Sequence, residues 1–210
     1  MTSEPPTYAD RCYRSGAALA GGVLLLALAA WLGGDAMIRG EGRTPVVAAA
    51  AMLFAVPLVV AFTLRPAVYA GPERLRIRNP FRTVTLPWAT VDTVRAGYSS
   101  EVIADGKKYQ LWAIPVSLRD RKKAQRHNER LASGRPGGQP MRGLLGMRHI
   151  EDSATERKAP SDEAVAELRE LAERHADSTG TPSARWAYEI LAPLVVGGIA
   201  LVVILASVRG

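Results

Sequence analysis

The sequence predicts an α+β membrane protein: three transmembrane helices joined to a small antiparallel β-barrel module with a C-terminal amphipathic helix. Three observations carry that expectation. No charged residue lies between Arg14 and Asp35, between Arg43 and Arg65, or between Glu189 and Arg209. Each gap is about 20 residues, which at ~1.5 Å per residue crosses a hydrocarbon core roughly 30 Å thick. Arg74, Arg76 and Arg78 alternate with Leu75 and Ile77, the period-two pattern of a strand with one wet and one buried face. Lastly, Val165, Leu168, Leu171 and Ala172 recur at helical spacing beyond Pro160.

Taken in order, residues 1–15 read as a polar tail carrying Arg11, Arg14 and the lone cysteine, Cys12. A single cysteine forms no intramolecular disulfide, and this one precedes an apolar run where a lipid-bearing one would follow it, so it reads as an incidental thiol. Residues 16–34 form the first span. A basic start and the Ala27-x-Ala29 triplet resemble a secretory leader, but the apolar core continues through Trp31 and Leu32 and a second apolar run follows, so an uncleaved helix is expected. Residues 35–44 allow only a helical hairpin, and the return span is 45–64, with Pro57 inside it, where a lipid-embedded helix tolerates a kink. Gly21, Gly22 and the alanines at 48–51 leave room for close helix contact and keep a homo-oligomer open. Residues 190–208 form the third span, with Trp186 and Tyr188 as interfacial anchors.

The β module is expected over 67–118. A short strand at Val68 and Tyr69 precedes the arginine strand, 73–79, and Asn79-Pro80 signals a turn. Val84 and Leu86 alternate with Thr83 and Thr85 on the way back. Around Trp88, Val91 and Val94 the spacing fits one helical turn as well as a strand. Asp105-Gly106 predicts a two-residue hairpin in which Val102 faces Tyr109 and Ile103 faces Lys108. Leu111, Trp112, Ile114 and Val116 continue the second arm and suggest a central strand. Residues 119–160 read as a mostly flexible basic insertion, with a helix over 119–131 open to capping by Ser117. Residues 161–176 form the amphipathic helix that closes the module, with Ser161 as N-cap and Asp162 and Glu163 at its positive end. A polar linker, 177–185, leads to the last span.

The net charge is +7. Between Arg65 and Ala187 there are 22 Lys and Arg against 15 Asp and Glu, so the whole excess belongs to the region between the second and third spans. Ten basic residues flank the spans on one side, among them Arg11, Arg14, Arg65 and Arg185, against Arg39, Arg43 and Arg209 on the other. That asymmetry predicts a multi-pass protein of the plasma membrane with its N-terminus and module in the cytoplasm. Without interleaved aromatics or a recognition helix, nucleic acid is not an expected partner.

A partly open barrel of short strands closed by one helix is the outline of a pleckstrin-homology-like (PH-like) fold. On G-P-E-R-L-R-I-R-N-P-F-R from Gly71 to Arg82, L-P-W-A-T-V from Leu86 to Val91 and D-E-A-V-A-E-L-R-E-L from Asp162 to Leu171, the sequence resembles the bacterial PH-domain membrane proteins of actinobacteria, including the low-molecular-weight protein antigen 6 type. The resemblance covers about half the chain and excludes the basic insertion. It implies a PH-like module tethered by helices, with no catalytic residues to transfer.

No phosphate-binding loop, GxGxxG, HExxH, CxxC or GxSxG motif occurs. His127, His149 and His175 fall in separate polar segments and read as solvated, and Asp162 and Glu163 are explained by the helix start. No enzyme, metal or cofactor is therefore expected. The one candidate site is the basic set Arg74, Arg76, Arg78 and Arg82 with the hairpin pair Lys107 and Lys108. Arginine forks suit phosphate oxygens, and basic residues beside anionic headgroups gain about 1 kcal/mol each. The same arginines also suit solubility and orientation alone. The expected function is a non-enzymatic binding or scaffold module for a protein partner or for anionic membrane lipid. The alternative is an accessory subunit of a membrane transporter or enzyme; the spans count against it, since none carries an ionisable residue at mid-depth.

Overall fold

The structure, a computed structural model, describes residues 11–133 and 157–209. Three helices are long and apolar enough to cross a membrane: Gly16–Arg39 (α1), Thr44–Leu64 (α2) and Tyr188–Ser207, the body of α5, which runs Tyr188–Arg209. The first is longer than expected. It runs through Asp35, where Arg39 pairs with the Asp35 carboxylate at 3.2 Å one turn away, so the link to α2 shrinks to a few residues. In α2, Pro57 has no N–H to donate and its ring crowds the preceding turn. The last five residues, Val60–Leu64, follow in a wider π-helical turn, and the Thr63 hydroxyl donates back to the Val59 carbonyl at 2.6 Å. Helix α2 packs on both α1 and α5. A Cβ at Gly197 would come within 2.6 Å of the Phe54 backbone nitrogen, so only glycine lets α5 approach this closely. Arg43 reaches Ser207, which places the end of α5 beside the α1–α2 link.

Eight strands form two antiparallel sheets. The first has five strands in the order β1-β2-β3-β4-β8: Arg11–Tyr13, Ala67–Ala70, Arg74–Arg78, Arg82–Pro87 and Ser183–Trp186. The second has β5 (Val91–Ala96), β6 (Ser100–Ala104) and β7 (Lys107–Gln110). Between β4 and β5 the chain turns through a short 3-10 segment, Trp88–Thr90, so this stretch supplies both the helical turn and the strand that its spacing allowed. Val68, Leu75, Ile77, Val84 and Leu86 from the first sheet meet Val94, Val102 and Ala104 from the second, with Trp88 and Leu111 filling the middle. Helix α4 (Pro160–Arg174) closes this core with Val165, Leu168 and Leu171, as its spacing predicted.

Among the described residues no strand of one sheet pairs with a strand of the other, because β8 occupies the free edge of β4. A side-chain bond from Asn79 Nδ2 to the Gln110 carbonyl, 2.9 Å, is one tie between them.

Other expectations change too. The tail and the linker each contain an edge strand, β1 and β8. Strand β7 stops at Gln110 and is an edge strand; Leu111 then turns back, its carbonyl accepting from Ile114 N at 3.1 Å, so the apolar residues of 111–116 fill the core from a turn. Pro160 opens α4 and Ala159 takes the cap position, while Ser161 is buried inside the first turn. The start of the basic insertion is ordered as α3 (Leu118–Ala132), with the Ser117 hydroxyl accepting from Asp120 N at 3.2 Å. Residues 134–156 of the expected insertion, with His149, and most of the tail lie outside the described residues.

Candidate functional site

Antiparallel register determines which arginines share a face. Strand alternation turns Leu75 and Ile77 into the core and leaves Arg74, Arg76 and Arg78 on the outer side of the first sheet. Across the sheet, Arg76 stands beside Tyr69 on β2 and Thr85 on β4, and Cys12 and Ser183 continue that rung on the edge strands. The next rung runs Ala67, Arg78, Thr83, Arg185.

Tyr69 is the centre of the cationic cluster. The Arg76 guanidinium lies over its ring, 4.6 Å from the centroid, and Arg14 Nη2 donates to its hydroxyl at 2.9 Å. The Arg14 bond holds the Tyr69 phenol below its ordinary value; partial burial opposes this and Arg78 adds to it. Tyr69, Arg74, Arg76 and Thr85 also line a cleft of about 290 Å³ with the Gly71–Pro72–Glu73 turn. Among the described residues, Arg74, Arg76 and Arg78 make no ion pair, and none of their cross-strand neighbours is acidic.

One end of this sheet abuts the long apolar helices. The Phe62 ring on α2 meets Phe81 edge-on, centroids 5.4 Å apart, and Trp112 at 5.5 Å. Ala187 N, at the head of α5, donates to the Phe81 carbonyl at 2.9 Å. Arg65, buried where α2 ends, pairs with Glu189 at 3.0 Å and reaches the Thr83 hydroxyl at 3.3 Å. Burial pushes the Arg65 guanidinium down, Glu189 opposes, and Arg78, which pairs with Ala67 just beyond it, lowers it further.

The six predicted site residues do not form one patch. Arg82 follows the alternation of Val84 and Leu86, away from the arginine face, and its guanidinium lies 5.9 Å from the Tyr109 centroid. Lys107 and Lys108 belong to the second sheet, where Lys108 pairs with Glu101 at 3.1 Å. Conversely, Arg14 and Arg185 join the arginine face although the sequence assigned them only to topology. The trace that marks β8 in sequence is the alternation of Ser183 and Arg185 with Ala184 and Trp186, four residues long. No group of three or more His, Cys, Asp or Glu converges as a metal set among the described residues.

Residues 65–138 match the bacterial PH domain family. The match takes in β2 to β7 and α3, and leaves β1, α4 and β8 outside it. No curated protein and no solved structure matches the chain.

Proposed function

We propose that this chain is a non-enzymatic, membrane-tethered binding module whose arginine face holds the phosphate groups of anionic lipids in the leaflet on which it stands. The observation that carries the reading is the convergence of Arg14 and Arg76 on Tyr69, with Arg78 one rung along the same face, on a sheet whose other contacts reach Phe62 of α2. Guanidinium forks bind phosphate oxygens in pairs, and cations held at headgroup depth need no further binding energy to bring them there. The match to the bacterial PH domain family supports a binding role over catalysis. The basic flanks of the spans support a cytoplasmic module and therefore the inner leaflet.

The test uses the intact protein in detergent, titrated with a short-chain phosphatidylglycerol and, separately, with the matching phosphatidylcholine. The double substitution Arg76→Gln/Arg78→Gln is expected to weaken phosphatidylglycerol binding about 30-fold, about 1 kcal/mol for each cation, and to leave phosphatidylcholine binding unchanged. Equal affinity of parent and double variant for phosphatidylglycerol would end the headgroup reading. A protein co-purifying with the parent but lost from the variant would then assign the face to an acidic protein partner.

A further inference from the structure

Helix α3 is absent from the reading above, and its two sides are unlike. Arg121, Ala124, Gln125, Asn128 and Ala132 line the cavity of about 820 Å³ between α3 and the start of α4. Arg121 fixes that side: it pairs with Asp162 at 2.5 Å and donates to the Ala96 and Gly97 carbonyls at 2.9 Å each. Arg119, Lys122, Lys123, Arg126 and Arg130 occupy the other side. Their spacing of three, one, three and four residues confines them to an arc of roughly 100° at ~3.6 residues per turn. All are exposed, no residue of α3 is buried, and among the described residues none of the five side chains has an ion-pair or hydrogen-bond partner.

The backbone connects this helix to the membrane-facing end of the module. Trp112 touches Phe62 of the second span. Leu111, beside it, donates to the Ser100 carbonyl at 2.8 Å, and Ser100 pairs with Ala96, whose carbonyl receives Arg121. Around that end, three large side chains face outward: Tyr98 is 99% exposed, Leu118 68% and Trp112 44%. Exposed aromatic and aliphatic side chains next to a row of cations have the composition of a surface resting at the boundary of headgroups and acyl chains.

We infer that α3 and the Tyr98 turn form a second membrane contact, distinct from the arginine sheet face. The row from Arg119 to Arg130 lies over anionic headgroups, and Tyr98 and Leu118 enter the interface. Charge complementarity and the continuity with Trp112 and Phe62 favour the bilayer over a duplex nucleic acid, whose phosphate surface offers Leu118 and Tyr98 no apolar layer to enter. The contact does not depend on the sheet-face reading, since it uses none of its residues. It would hold the module against the leaflet from two sides of the core.

The intact protein is placed in nanodiscs of phosphatidylcholine alone or with one-third phosphatidylglycerol, at about 0.15 M salt, and amide hydrogen exchange is followed over Leu118–Ala132. The anionic lipid is expected to slow exchange in α3 about tenfold. Neutralising all five cations to glutamine should remove that difference, whereas Arg76→Gln/Arg78→Gln should leave it, which separates this inference from the sheet-face reading. In a second measurement, Tyr98→Trp is expected to add a fluorophore that brominated lipids quench. Equal exchange in the two nanodiscs, no quenching at position 98, or slowing by added duplex RNA with none by anionic lipid would each overturn the inference.

Discussion

The outer faces of the two sheets carry cations of similar density and opposite meaning. On the second sheet, Arg95 and Lys108 both reach the same Glu101 oxygen, at 3.2 and 3.1 Å, and their charge is spent within the face. The Glu101 carboxyl is held below its usual range first by the Ser99 hydroxyl and then by Lys108, with Arg95 adding less. On the first sheet, the arginines have proline, tyrosine, alanine and threonine for cross-strand neighbours and no carboxylate, and their charge is directed outward. A count of basic residues treats the two as equal. What distinguishes them is whether a carboxylate stands opposite, as Glu101 does to Arg95, or diagonally, as it does to Lys108, and that is a property of strand pairing.

Both faces depend on one core, so the largest expected effect removes the comparison altogether. Trp88 is 1% exposed and its Nε1 donates to the Gly71 carbonyl at 2.8 Å, tying the turn between the sheets to the start of the arginine strand. Trp88→Ala is expected to cost about 3–5 kcal/mol of module stability, with both sheets unfolding together and phosphatidylglycerol binding lost. Urea unfolding of the intact protein in micelles, followed by far-ultraviolet circular dichroism, measures it. If only the arginine face loses function while the module unfolds at the parent's midpoint, the two sheets do not share a core in the way described.

The next effect contrasts the faces directly. Where Arg76→Gln/Arg78→Gln is expected to weaken phosphatidylglycerol binding about 30-fold, Lys107→Gln/Lys108→Gln should change it by about twofold or less, since Lys108 is already paired. The same titration reads both. Similar losses from the two double variants would show that net charge, not its arrangement, sets the affinity.

How much of this was legible in the sequence follows from how local each signal is. The three apolar gaps, the Arg74–Arg78 alternation, the Asp-Gly hairpin and the α4 stripe each repeat within one segment, and the structure has a helix or strand at each. Strands β1 and β8 are three and four residues long, and they exist because Tyr69 and Thr83 offer them an edge across 55 or more residues of chain. Nothing in Arg11–Tyr13 alone encodes that. The site inherited the same blind spot: Arg74, Arg76 and Arg78 share a strand and were visible together, while Arg14 and Arg185 reach them only through pairing. Lys107 and Lys108 are basic and near the arginines in sequence, but they sit on another sheet.

A smaller effect sharpens the contrast from the other side. Glu101→Gln would free Arg95 and Lys108 and make the second sheet resemble the first in charge. Because both cations are about half exposed, losing the pairs should change stability little. Phosphatidylglycerol affinity should nevertheless rise, by about three- to fivefold, with the gain shrinking as salt is raised. An unchanged affinity would mean that the second face does not reach the bilayer even when its charge is released.

The smallest effect is spectroscopic and concerns Tyr69 itself. Its phenol is held below the ordinary value of 10.0, chiefly because the Arg14 bond favours the charged form. A depressed folded value means that the ionised phenolate contributes stability only as pH rises through the folded value, fully so above the unfolded one. At neutral pH tyrosine is protonated in both states, so the linked contribution there is close to zero. Ultraviolet titration of the parent minus Tyr69→Phe is expected to show one phenol ionising below 10.0, and Arg14→Gln should move that step upward while Lys108→Gln leaves it in place. If Arg14→Gln leaves the step where it was, Arg14 does not hold the tyrosine, and the residue that follows β1 contributes no cation to the face.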